Sequence, residues 1–167
     1  MEQFGFYVID DDFFKRFNDP YLKGNKSENR PHYYCFQDNN NGLYWVIPMS
    51  SRIDKYKQII ERQQKQHKPC DKLHICKLSN DKENVFLIQD MFPVTENYIK
   101  RPYTFANKPL ILISESERRI INQKALRILN LIEHNIRFSP LQVDALKIKN
   151  ALLLDLSRDK NKELTTV

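Results

Sequence analysis

The chain has 167 residues, 41% hydrophobic and 29% charged, with a formal net charge of +6. That length suffices for one domain with a sizeable core, and the balance excludes a disordered polyelectrolyte. No apolar run approaches the ~18 residues of a membrane span, and three cysteines do not make a disulfide framework.

Gly5 to Asp10 reads as a first strand from its aromatic and β-branched content. Asp11-Asp12 offers a cap and first-turn negative charge for a short helix, Phe13 to Asn18. Asp19 to Asn29 is loop. His32 to Gln37 forms a second strand, Asn39-Asn40-Asn41-Gly42 a turn, and Leu43 to Pro48 the returning strand. Arg52 to Gln66 is a polar helix with a thin stripe of Ile53, Tyr56, Ile59 and Ile60. Leu73 to Leu78 and Asn84 to Gln89 are strands joined by the turn Ser79-Asn80-Asp81-Lys82, and Pro109 to Ile113 is a further short strand.

The C-terminal third changes character. Ser114-Glu115-Ser116-Glu117 is a capping box opening a helix to about His134, with Ile121, Ala125, Ile128, Leu129 and Ile132 on one face. Ser139-Pro140 opens a helix to about Leu156, with Leu141, Ala145, Ile148, Leu152 and Leu156 in register. Asp159 to Val167 is expected to fray. The reading is a single α+β domain: sheet over 1–113, a helical pair over 114–156 and a tail over 157–167. A small, strongly bent antiparallel sheet or barrel would carry the helices outside.

Between Tyr21 and Cys70 nine basic residues stand against four acidic ones, which suits a polyanionic partner and equally a solvated surface with a chance excess of lysine. The opening Met1-Glu2-Gln3-Phe4 lacks a basic stretch followed by an apolar one, so no secretory signal and a reducing cytoplasm are expected. The hairpin sets Arg30 and His32, at the start of one strand, beside Ser50 and Ser51, at the end of its partner. Such a cluster has the parts for metal-free RNA cleavage. The ribose 2′-hydroxyl attacks the adjacent phosphate. His32 would move a proton, Arg52 or Lys55 would hold the developing charge, and Ser50 and Ser51 would bond phosphate oxygens. The plainer alternatives are a helix cap for the two serines and an ordinary half-buried histidine.

The element order, with Phe6-Tyr7-Val8-Ile9 and its Asp11-Asp12-Phe13-Phe14 helix, then Arg30-Pro31-His32-Tyr33, then Tyr44-Trp45-Val46-Ile47-Pro48-Met49-Ser50-Ser51, resembles the ToxN/AbiQ family. These are endoribonuclease toxins of type III toxin–antitoxin systems. The resemblance covers about the first 60 residues. It implies a fold like the MazF and Kid toxins, an SH3-like barrel with added helices. It implies cleavage to 2′,3′-cyclic phosphate and 5′-hydroxyl ends. It also implies neutralisation by a small repeated pseudoknot RNA that the toxin processes, in a closed protein–RNA assembly with several toxin copies. In the family the hydroxyl pair after the proline carries the active site. Some members carry lysine two residues after that pair, where this chain has Ile53, so Lys55 or Arg52 must substitute. Where others show lysine at the strand opening, this chain has His32.

Arg30, Tyr33, Lys57, Lys100 and Arg101 are the expected RNA contacts. Asn97 to Tyr103 interleaves tyrosines with bases, a pattern suited to unpaired bases and phosphates. Arg118, Arg119 and Lys124 would widen that surface. His67, Cys70, His74 and Cys76 have no common zinc spacing, so no metal and no cofactor are expected. The competing readings are a basic module that binds RNA without cutting it, and a protein–protein interaction domain.

Overall fold

The computed structural model describes residues 1–78, 82–137 and 139–165. The asparagine-rich turn is its pivot. Gly42 takes φ +77°, a conformation that needs no Cβ to be comfortable, and the Asp38 carbonyl accepts from Gly42 N at 2.7 Å. The turn folds β2 (His32–Gln37) onto β3 (Tyr44–Ser50), with His32 opposite Pro48 and Tyr33 opposite Ile47. β1 (Phe6–Ile9) pairs with the far side of β2 and is capped by α1 (Asp11–Arg16), whose N-cap is Asp10.

β3 has two partners on its other edge. β6 (Phe92–Val94) runs beside Tyr44–Val46, and β5 (Glu83–Phe86) meets Met49 and Ser50. The 3-10 turn Ile88–Asp90 lies between those partners in the chain, so the sheet bends where β3 changes neighbour. β4 (His74–Lys77) pairs with β5 and β7 (Ile99–Pro102) with β1, giving the order β4-β5-β3-β2-β1-β7, antiparallel throughout. A closed barrel is not found among the described residues: β4 and β7 remain the ends of an open sheet. A small hairpin, β8 (Thr104–Phe105) with β9 (Lys108–Pro109), follows β7. The expected strand at Pro109–Ile113 reduces to β9 plus a bridge from Ile111 to Gly5. The connecting residues Ser79, Asn80 and Asp81 lie outside the described residues.

The helices follow their apolar registers. α2 (Ile53–Lys65) lays Ile53, Tyr56, Ile59 and Ile60 on a small cluster of Leu73, Val85 and Leu87. α3 (Glu115–Glu133) starts at the expected cap, where Ser114 Oγ accepts from Glu117 N, and buries Ile121, Ala125, Ile128 and Ile132 in the main core. α4 (Ala145–Thr165) differs from expectation at both ends. Ser139 Oγ accepts only locally, from Leu141 N, while Asp144 Oδ1 accepts from Lys147 N three residues on. The helix therefore begins at Ala145, which leaves Leu141 61% exposed, and it runs on through most of the expected tail.

Candidate active site

A pocket of about 190 Å3 opens where β3 ends. Met49 N donates to Pro31 O at 3.1 Å, which draws the two strand ends together. Arg30, Ser50 and Ser51 all line the pocket, as the hairpin register implied. Lys26 and Asn29 close one side, and Tyr103 with the exposed Phe105 supplies an aromatic wall.

Arg30 belongs to the turn before β2. Its backbone N donates to Asn25 O at 2.8 Å and its Nη1 to Gly24 O at 3.1 Å, so the guanidinium is held half-buried at the pocket. Burial pulls its pKa down, while Tyr56 and Asp90 oppose that pull and Arg52 adds to it. Lys100 and Arg101 pair with Glu28 at 2.6 and 2.8 Å, tethering this loop to β7. Those ion pairs hold the Glu28 carboxyl below its usual range.

The serines differ from each other. Ser50 is 9% exposed; its Oγ accepts from Arg52 N at 3.3 Å and is hydrogen-bonded with the Tyr56 phenol. Ser51 is exposed. Neither acts as the expected helix cap, because α2 takes Arg52 at its N-cap and the start carries no side-chain cap bond. The first amide of α2, Ile53 N, donates to Ser51 O at 3.0 Å, and the positive end of the helix dipole beside Ser51 favours negative charge. Arg52 and Lys55 are exposed there, and Lys55 Nζ stands 5.5 Å over the Tyr56 ring.

Asp90 was not visible in the sequence as a site residue. It is 3% exposed, and burial pushes its carboxyl up to about 6 against the pull of Lys23, Arg30 and Lys55. The carboxyl lies within electrostatic reach of these cations without lining the pocket. The available signal was a single acid inside the apolar run Leu87–Phe92.

Three expected site residues lie elsewhere. His32 is fully buried between the Phe14 and Phe92 rings, at 5.9 and 5.5 Å, with Nε2 3.3 Å from Lys23 O. Burial pushes it down to about 4, so it is a neutral core residue at neutral pH and has no access to the pocket. Tyr33 packs against Phe6 and Phe86 in the core, at 5.2 and 5.1 Å, where burial raises the pKa of its phenol. Lys57 pairs with Glu83 at 2.8 Å and lines a different cavity, of about 680 Å3, between α2, β4 and α3. Lys124 and Arg118 are also engaged, donating to the carbonyls of Leu73 and Leu112. Of the four expected metal-type residues, His74 and Cys76 cluster, together with Glu117 rather than with His67 and Cys70.

No family model matches the chain, and no curated protein matches it. Among the described residues no helix is long and apolar enough to cross a membrane.

Proposed function

We propose that the chain is a metal-independent endoribonuclease that cuts RNA by attack of a ribose 2′-hydroxyl on the adjacent phosphate. The products are a 2′,3′-cyclic phosphate and a 5′-hydroxyl. One observation carries the reading: Arg30, Ser50 and Ser51 share a single pocket at a strand end, beside the uncapped start of α2. Ser51 and Ser50 bond the phosphate oxygens. Arg30, presenting a planar fork, takes the charge that builds on the phosphorane, with Arg52 and Lys55 at the rim. Tyr103 and Phe105 offer faces on which an unpaired base can stack. His32 has no part in this chemistry. The rate comes from fixed donors acting on developing charge, each worth about 10²–10³-fold in comparable sites. Proton movement passes through hydroxyls and water.

The resemblance to the ToxN/AbiQ family extends the proposal. A small repeated pseudoknot RNA would occupy the same basic surface, be cut by the chain and neutralise it in a closed assembly of several toxin–RNA pairs, in the cytoplasm. One observation favours a second reading, a basic module that holds RNA without cutting it: the histidine at the hairpin opening, His32, is locked in the core.

The test is incubation of purified wild type and Ser51→Ala with RNA in the presence of a chelator. Cyclic-phosphate ends from the wild type, and a loss of them in the variant, support the enzyme. Salt-dependent binding without new ends supports the module, and no affinity for RNA at low salt removes both.

A further inference from the structure

The edge strand β4 carries its own cluster of donors. His74 and Cys76 are two apart on the strand, so they share a face. The first turn of α3 sets Glu117 against them. One ring nitrogen of His74, the Cys76 Sγ and one Glu117 oxygen all lie within 4.8 Å of one another. His74 Nε2 is hydrogen-bonded to Glu117 Oε2, 43 residues away in the chain. Cys76 is a free thiol, 7% exposed. A histidine–carboxylate bond accounts for two of the three groups but gives no reason for the thiol to join them. Imidazole, thiolate and carboxylate together are donors suited to zinc. With His74 neutral and the other two ionised, the set carries two negative charges, which balance a divalent cation.

We propose that His74, Cys76 and Glu117 bind one zinc ion. Zinc would replace the His74–Glu117 hydrogen bond, those two atoms moving apart around the ion and Cys76 Sγ drawing in, to reach Zn–N, Zn–S and Zn–O distances of about 2.0–2.3 Å. On binding, the Cys76 thiol releases its proton and the remaining imidazole proton of His74 moves to Nδ1. The fourth position faces the cavity of about 680 Å3 that His74 lines, which supplies water. Lys124, whose charge acts on His74, is engaged by Leu73 O at 2.9 Å, and across the cavity Arg127 is taken up by Asp71 at 2.8 and 2.9 Å. The ion would pin β4, an end strand of the open sheet, to α3. It is a structural ion, separate from the RNA chemistry proposed at the β3 pocket.

The experiment uses the full chain, reduced and stripped with a chelator. Zinc is titrated against a chromophoric competitor, and cobalt(II) is added separately as a spectroscopic probe. One equivalent of zinc should bind and raise the melting temperature. The cobalt form should show intense tetrahedral bands and a thiolate-to-metal charge-transfer band. Cys76→Ser should abolish that band, and Cys76→Ser and His74→Ala should each weaken zinc binding by more than the roughly 10–100-fold typical of an outer partner. Cys70→Ser, in the loop before β4, should change neither. Glu117→Gln, on the helix surface, should keep the fold by circular dichroism and still weaken zinc, so the test survives if a buried variant fails to fold. Less than one equivalent, a cobalt spectrum with no thiolate band, a band that follows Cys70, or Glu117→Gln binding as tightly as wild type would each overturn the assignment.

Discussion

The pocket at the end of β3 and the larger cavity between α2, β4 and α3 hold similar residues in opposite states of use. In the larger cavity three of the four lining lysines and arginines are engaged: Lys57 by Glu83, Arg127 by both oxygens of Asp71, and Lys124 by a backbone carbonyl. In the smaller one Arg30 meets only a carbonyl, and among the described residues Lys26 and Arg52 form no ion pair. Its carboxylate, Asp90, sits beneath the cations, and burial pushes it towards its neutral form. Basic residues around a hollow therefore do not mark an anion site by themselves. What marks one is positive charge that no carboxylate has paired, next to an exposed hydroxyl such as Ser51.

The largest expected effect separates the two places by activity. Ser51→Ala should slow formation of cyclic-phosphate ends about 10²–10³-fold, while Lys57→Ala, in the other cavity, leaves the rate at the wild-type value. Equal losses from both would erase the distinction.

Next in size is the response to pH of two buried groups behind the pocket. Asp90 moves from 3.8 to about 6, so the folded state favours its neutral form. Its contribution to stability is complete below pH 3.8 and is lost as pH rises through 6, about 3 kcal/mol in all. His32 moves from 6.5 to about 4, and its contribution runs the other way. It is present above pH 6.5 and lost as pH falls through 4, again about 3 kcal/mol. Between pH 4 and 6 these slopes oppose and nearly cancel. Asp90→Asn should therefore be more stable than wild type at pH 7, by up to about 3 kcal/mol, and should show a steep acid loss from His32 alone. Urea midpoints against pH measure both. An Asp90→Asn profile parallel to wild type would remove the buried-carboxyl account.

A smaller effect concerns salt. If Arg30 neutralises a phosphate, Arg30→Ala should reduce the slope of log affinity for single-stranded RNA against log salt by about 0.7, whereas Arg127→Ala should not change it. Smallest is Glu28→Gln. It frees Lys100 and Arg101 on an exposed surface, so stability should stay near wild type while RNA affinity at low salt rises.

Much of the fold was legible because local chemistry and tertiary packing agree. The Asn-Gly turn needs positive φ at Gly42, the capping box supplies the Ser114 cap, and the apolar registers of α2 and α3 are the faces they bury. Strands β6 and β7 were missed: both are short, both contain a proline, and their strand character comes from partners distant in sequence. The start of α4 was misread because Ser139-Pro140 imitates a cap that Asp144 provides. At the site, the register brought Arg30 to the serines, but it could not show that His32 turns into the core. Nor could it show that Lys57 meets Glu83. Both depend on what packs above the strand, which no local pattern encodes.

The most direct test of the central claim uses one RNA made in two forms, identical except for a 2′-deoxyribose at the cleaved position. With chelator present, wild type should cut the ribose form to a cyclic phosphate and leave the deoxy form intact while binding both. Cleavage of the deoxy form, or equal inertness towards both, would contradict a pocket that turns an RNA's own hydroxyl against its phosphate.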